Sequence, residues 1–230
     1  MGILKKAEEA TVVDVYDINS STRLDHNDKV CLTHISKIIN FNDDVVVDVG
    51  ANLGEYTEYF SSCLKGSGTI YSIELHPNTY QSLLSRFSTK PNIKIFNNAV
   101  SDTNGEITYY LGIDSFQHNI IGHDMGYKDR PVGGTVEAIT LDSLLANEDK
   151  VRLIKIDVEG AELSVLKGMS STINKTDYIL VENHLDEDWE EIRSLLLDTY
   201  NLSCMNLMTM EEMTEDTPRV YQCLCKSKSI

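Results

Sequence analysis

The segment from Val45 to Gly54, Val-Val-Val-Asp-Val-Gly-Ala-Asn-Leu-Gly, limits this chain more than any other. A run of β-branched residues ends in an acid, a glycine, a short turn and a second glycine. Tyr56, Tyr59, Phe60, Cys63 and Leu64 then recur at offsets of three and four, which is helical spacing. A buried strand, a tight turn and an amphipathic helix open a nucleotide-binding α/β domain, whose ligands gather at the carboxyl ends of parallel strands. A dinucleotide site wants Gly-x-Gly-x-x-Gly, so that the backbone can approach a pyrophosphate. Asn52 stands where the second glycine would be. The turn suits a ligand with an amino-acid end and an adenosine end, and S-adenosyl-L-methionine is the candidate.

The same rhythm continues. Thr69–Ile73 and Ile93–Phe96 read as further strands, with a helix opened by Pro77 between them. Such spacing implies right-handed crossovers and a parallel sheet. The pattern then breaks. Glu106–Leu111 and Thr135–Leu141 read as strands separated by residues 112–134, a long glycine- and histidine-containing loop without periodicity. Alternation resumes with a strand over 153–157, a helix near 159–169, the strand Tyr178–Glu182 and a helix marked by Trp189, Ile192, Leu195 and Leu196. Asn201–Leu207 and Arg219–Leu224 read as a closing strand pair. Residues 1–25 carry no period and read as an N-terminal extension, with 26–230 as one domain.

A net charge of −16 and the absence of Lys/Arg clusters argue against nucleic acid and anionic membrane surfaces as partners. No run reaches the ~18 apolar residues of a membrane span. The first residues lack the apolar core of a signal peptide. Cys31, Cys63, Cys204, Cys223 and Cys225 are odd in number and scattered, so they read as reduced thiols in a cytoplasmic setting.

Chemistry concentrates at strand ends. Glu74 follows the second strand, 20 residues after Gly54, where an acid accepts from both ribose hydroxyls; a helix-start acid before Pro77 is the alternative. Asn98 and Ala99 follow the third strand, where an adenine ring is expected. Asp157 closes the fourth, and Glu182, Asn183 and His184 close the fifth. Glu162, in the first turn of the intervening helix, reads as structural.

These residues resemble a known family. Asp48-Val-Gly-Ala-Asn-Leu-Gly54, Thr140-Leu-Asp-Ser-Leu144, Ile154-Lys-Ile-Asp-Val-Glu-Gly-Ala-Glu162 and Leu166-Lys-Gly168 are similar to the FkbM-type methyltransferases over about residues 40 to 184. The resemblance implies a Rossmann-like class I methyltransferase fold: a seven-stranded, mostly parallel sheet with a C-terminal antiparallel strand pair and a long inserted loop. It implies S-adenosyl-L-methionine as methyl donor and a sugar or polyketide hydroxyl as acceptor. Asp48, Gly50, Ala51, Asn52, Gly54 and Glu74 then bind the cofactor. An alcohol must lose its proton, so a base is expected at the crevice. Asp157 and His184 are the favoured pair, with His118 and His123 of the central loop as further candidates. A divalent cation such as magnesium, held by Asp157, Glu182 and His184, is the other route. A glycan hydroxyl is the preferred acceptor. A lipid-like hydroxyl, a nicotinamide-dependent oxidoreductase and a cofactor-binding protein without turnover are the rivals.

Overall fold

The computed structural model describes residues 18, 24–65, 67–112, 117–122 and 129–228. Its main sheet has seven strands in the order β3-β2-β1-β7-β8-β10-β9. In chain order these are β1 (Val45–Val49), β2 (Thr69–Ile73), β3 (Ile93–Phe96), β7 (Val151–Ile156), β8 (Thr176–Glu182), β9 (Leu202–Asn206) and β10 (Gln222–Ser227). The first five of these are mutually parallel, and β10 runs antiparallel to both β8 and β9. The sheet, the antiparallel closing pair and the α/β layering all match the sequence expectation.

Period-two alternation divides the strands between two cores. Val46, Ile70 and Leu153 point to one face, under α1 (His26–Ile38), α2 (Glu55–Cys63) and α3 (Pro77–Phe87). Val47, Val49, Ile154 and Ile156 point to the other, under α4 (Leu141–Leu144), α5 (Glu162–Lys167) and α6 (Trp189–Ser194). Helix α1 starts with a capping box. The Asp25 carboxylate accepts from the Asp28 N–H at 2.8 Å, and Asp28 accepts from the Asp25 N–H at 3.2 Å. Leu24 is buried against the same core, so the packed unit begins before residue 26. The rest of the N-terminal extension lies outside the described residues, apart from Ile18, which packs there too.

Two features differ from the sequence expectation. Ala99–Val100 is a short strand, β4, and with β5 (Gly105–Tyr110) and β6 (Val132–Ile139) it forms a separate three-stranded sheet, order β4-β6-β5. A two-residue strand carries no periodic signal, so it reads as a turn. Second, Cys204 and Cys225 form a disulfide rather than two reduced thiols. They are directly opposed in the β9–β10 register, a neighbourhood that only the folded pairing creates. Cys31, Cys63 and Cys223 are free. Among the described residues no helix is long and apolar enough to cross a membrane.

The Thr-Leu-Asp motif is architectural. Thr140 caps α4 through the Ser143 N–H, and Asp142 accepts from the Ser171 and Thr172 N–H groups, tying α4 to the segment after α5. Gly168 lets that segment approach, since a Cβ there would lie 2.1 Å from the Ser101 carbonyl oxygen.

Candidate active site

The sheet reverses its strand order between β1 and β7, and ligands of open α/β sheets bind at such a point. A cavity of about 680 Å³ opens there, within the size range of small-molecule sites. Gly50, Ala51, Asn52, Glu74, Asn98, Ala99, Asp157 and His184 all line it. Gly54 and Asp48 do not.

At one end, the turn after β1 is fixed by the Gly50 and Ala51 N–H groups, which donate to the Ile73 carbonyl at 3.0 and 2.9 Å. Gly50, Asn52 and Gly54 have positive φ, a region that glycine enters freely and asparagine tolerates. Glu74 is clamped by two backbone donors, Asn52 N–H at 2.9 Å and His76 N–H at 2.8 Å. Burial pushes its carboxyl up to about 7, against the lowering effect of those two bonds. The Asn52 Oδ1 atom is buried with no partner among the described residues. A buried carboxyl poised near neutrality and an orphaned amide oxygen are acceptors waiting for donors, and ribose and ammonium groups are such donors. S-adenosylmethionine, which the family resemblance implies, therefore fits this end. Asn98 turns its amide to the Glu137 carbonyl, while Ala99 is small and buried in the wall.

Asp48 sits beneath the turn, fully buried. It accepts from the Thr57 hydroxyl at 2.7 Å and pairs with Lys155 at 3.3 Å. Its place is structural support for the turn. Gly54 faces Leu83 and Phe87 of α3 rather than the cavity.

Lys155 joins the two ends, and sequence reading missed it because it sits mid-motif in an apolar strand. Its side chain is buried, with Nζ 3.0 Å from the Gly50 carbonyl, 3.1 Å from Asp157 Oδ2 and over the Tyr56 ring at 4.8 Å. Burial would drive its proton off, but Asp157 and Asp48 outweigh that and hold it well above its ordinary value. Tyr56 passes the contact on, donating to Asp28 at 2.8 Å.

At the far end His184 is enclosed by acids. Its Nδ1 lies 2.9 Å from Glu162 Oε1, and Nε2 faces Glu182 at 3.4 Å and Asp157 and Glu159 at 3.8 Å each. Burial would lower its pKa, but bonds to Glu162 and Glu182 and the charges of Glu162 and Asp157 raise it to about 11. A doubly protonated ring has no lone pair for a substrate proton. The surrounding acids thus favour a protonated or ligated imidazole at His184 over a free base. Glu162 is structural, as expected. It is 1% exposed, and its Oε1 also accepts from the Gly160 N–H at 3.0 Å and the Val158 N–H at 3.3 Å.

Asp25, Asp28, Tyr221 and Gln222 complete this wall, and none was picked out from the sequence. The Asp25-x-x-Asp28 cap was the one signal available. Tyr221 and Gln222 donate to the two oxygens of Glu182.

The central loop spans both ends. Ile120 packs against the small cluster of Ala99, Tyr109, Val136 and Ala138, while Asn119 donates to the Glu159 carbonyl at 3.2 Å. His118 stacks on His76 with ring centres 4.0 Å apart and accepts from the Gly112 N–H. Burial and the charges of His76 and Arg130 depress it to about 4, and it lines the same cavity. Gln117 and Ile120 of this segment line that cavity with it. His123 lies outside the described residues.

A family model described as a methyltransferase FkbM domain matches residues 48–204. The chain belongs to this family. Among curated relatives of the FkbM chain, the hexuronic acid methyltransferase AglP of Haloferax volcanii is 29% identical over 158 residues, which is 67% of this chain and 62% of that protein. This chain thus spans less than two thirds of that relative's length. The 2-O-methyltransferase NoeI of Sinorhizobium fredii is 26% identical over 172 residues, covering 68% of this chain and 70% of NoeI. Among solved structures, a methyltransferase FkbM from Methylobacillus flagellatus KT superposes with a TM-score of 0.50 at 20% identity, covering 86% of this chain and 47% of that one. A precorrin-6y C5,15-methyltransferase from Geobacter metallireducens gives 0.52 at 11% identity over 90% and 93% of the two chains. These likenesses show the class I methyltransferase fold.

The Glu74 clamp has a measurable consequence. In the ligand-free protein its raised pKa means the carboxyl stays protonated up to about pH 7. In the ribose-accepting role expected of Glu74, the ionised carboxylate is the stronger acceptor, so cofactor binding there would release this proton. Affinity for S-adenosylhomocysteine should therefore weaken as pH falls below about 7, by up to tenfold per pH unit, and flatten above it. Glu74→Gln should lose both this slope and roughly 1.5–3 kcal/mol per charge-assisted bond. Calorimetry across pH 5.5–8 checks it. An identical slope in a folded Glu74→Gln variant removes Glu74 from the site.

Proposed function

We propose that this FkbM-family chain is an S-adenosylmethionine-dependent O-methyltransferase acting on a hydroxyl of a sugar or glycan. S-adenosylmethionine supplies an electrophilic methyl group. The reading rests chiefly on the continuity of the cavity, which joins the Gly50–Glu74 end to a second end walled by hydrogen-bonding groups. Asp25, Asp28, Glu182, Tyr221 and Gln222 suit a polyol, whose several hydroxyls need several partners. A lipid or polyketide acceptor would want an apolar wall of comparable extent. AglP is a hexuronic acid methyltransferase and NoeI a 2-O-methyltransferase, and both support the same choice.

In this reading Asp157 takes the acceptor proton. Its Oδ2 is held by Lys155, which leaves Oδ1 on the cavity side next to His184. His184, anchored by Glu162, fixes the shape of the acid wall. Glu74 and the turn hold the cofactor, and the 117–122 segment limits water at that end.

An acceptor screen tests the proposal. Neutral hexosides, hexuronides and long-chain alcohols are incubated with S-adenosylmethionine, and S-adenosylhomocysteine release and a 14 Da mass gain, the difference between CH₃ and H (about 14 Da), are read together. Turnover confined to long-chain alcohols would overturn the glycan reading. Tight S-adenosylhomocysteine binding with no product from any class would favour the non-catalytic rival.

A further inference from the structure

The His184 cluster gathers one short hydrogen bond and three longer carboxylate contacts around one imidazole. Nδ1 makes a good bond to Glu162 at 2.9 Å. Nε2 faces three carboxylates, Glu182 Oε1 at 3.4 Å and Asp157 Oδ1 and Glu159 Oε2 at 3.8 Å each. All three lie beyond a normal N–H···O⁻ distance of about 2.7–2.9 Å. Asp157 is held by Lys155, and Glu182 by Tyr221 and Gln222, so these side chains are fixed around a common centre at that stand-off. One donor atom each from Asp157, Glu182 and His184 lies within 4.8 Å of the other two.

We propose that Asp157, Glu182 and His184, with Glu159 beside them, form a binding site for a divalent first-row transition ion of the Mn²⁺ or Zn²⁺ type.

Metal–ligand distances near 2.1 Å put neighbouring donors about 3.0–3.4 Å apart in octahedral or tetrahedral sites. Glu182 already stands at that spacing from Nε2, and the two at 3.8 Å need to close by about 0.5 Å. The supporting shell is built. The Nδ1–H of a neutral His184 donates to Glu162, which fixes the tautomer and aims the Nε2 lone pair at the centre. Glu162 is itself held by the Val158 and Gly160 N–H groups. Glu182 is oriented by Gln222 at Oε2 and by Tyr221 at Oε1, the oxygen that also faces Nε2.

An independent observation points the same way. Gln222 is 1% exposed and lines this cavity, and its Nε2 donates to Glu182 at 2.7 Å, yet its Oε1 has no partner among the described residues. A buried amide oxygen beside the cluster needs a donor, and a water held on a cation is one. The donor set selects the ion. Magnesium wants oxygen donors and keeps most of its water, whereas an imidazole with carboxylates suits Mn²⁺, Fe²⁺ or Zn²⁺. This narrows the magnesium expectation from the sequence to a different class of ion.

The test uses the full chain, stripped with a chelator, and titrates MnCl₂ by calorimetry and by the paramagnetic resonance of free Mn²⁺. One saturable equivalent per chain is expected, with MgCl₂ at least tenfold weaker. Glu182→Gln and His184→Gln should each weaken Mn²⁺ by tenfold or more, and the anchoring variant Glu162→Gln by about 10–100-fold. Should His184→Gln fail to fold, Glu182→Gln on the cavity wall carries the comparison. No saturable Mn²⁺ binding to the wild type, equal Mg²⁺ and Mn²⁺ affinity, or unchanged affinity in the folded variants overturns the proposal. The site shares the cavity but does not depend on methyl transfer. S-adenosylhomocysteine binding is measured in parallel, so retained binding without Mn²⁺ uptake discards the ion alone.

Discussion

Replacing Asp157 with asparagine should lower turnover by about 10²- to 10⁴-fold while leaving affinity for S-adenosylhomocysteine near wild type. The magnitude is that of losing a positioned proton acceptor. The substitution keeps the shape of the side chain and can still accept from Lys155 through its amide oxygen, so the 3.1 Å contact need not be lost. What disappears is the charge on the oxygen that faces the cavity. An alcohol is a weak nucleophile until its proton has somewhere to go, whereas cofactor binding at the Glu74 end makes no use of this group. The split between rate and binding is thus the signature. A chelator separates the two ways in which Asp157 can act. Turnover that is lost on chelation and restored by Mn²⁺ assigns it to a cation-assisted route, and indifference assigns it to direct proton transfer. Wild-type turnover in Asp157→Asn would sink both and leave Glu159 and Glu182 as the remaining carboxylates facing His184 Nε2.

The parallel core was readable because strand and helix periods are local. Val45–Val49, Thr69–Ile73 and Ile93–Phe96 are β-branched or aromatic runs closed by turn residues, and nothing distant is needed to see them. Glu74 was readable for the same reason: a fixed offset from the glycine turn carries it to the cavity. What failed were features created by pairing. The Cys204–Cys225 bond depends on the β9–β10 register. The β4 strand exists only because β6, some forty residues later, runs beside it. The acid and histidine cluster at the ends of β7 and β8 was legible, but how closely four acids enclose a buried His184 was not. Lys155 looked like a strand residue, and its burial among Asp48, Asp157 and Tyr56 is a consequence of topology. A sequence shows which groups reach a sheet edge; their protonation states follow from which other groups arrive there with them.

The same distinction governs Gly50. From the sequence, its value is a bare backbone that a cofactor can approach. In the fold a Cβ at Gly50 would lie 1.8 Å from the Asp157 carbonyl oxygen and 2.9 Å from its carbonyl carbon, with φ at +76°. The constraint is the β7 end itself. Backbone atoms cannot rotate aside as a side-chain tip can, so β1 and β7 must part at the switch point, opening the Asp157 N–H to Val49 carbonyl bond of 3.1 Å. Gly50→Ala should therefore cost more than the ~1–2 kcal/mol of a left-handed non-glycine residue, on the order of 3 kcal/mol or more once the displaced strand end is included. Gly105→Ala is the internal control. Its φ is also positive, at +130°, but nothing lies within 4 Å of the added carbon. Urea denaturation of both variants separates strain from collision, and calorimetry with S-adenosylhomocysteine reads the local damage. Gly50→Ala should show the larger loss of stability and the loss of cofactor-site affinity, since the turn, Lys155 and Asp157 move together. Equal destabilisation by the two substitutions would mean that the strand ends yield freely, and the glycine would then be kept for the ligand after all.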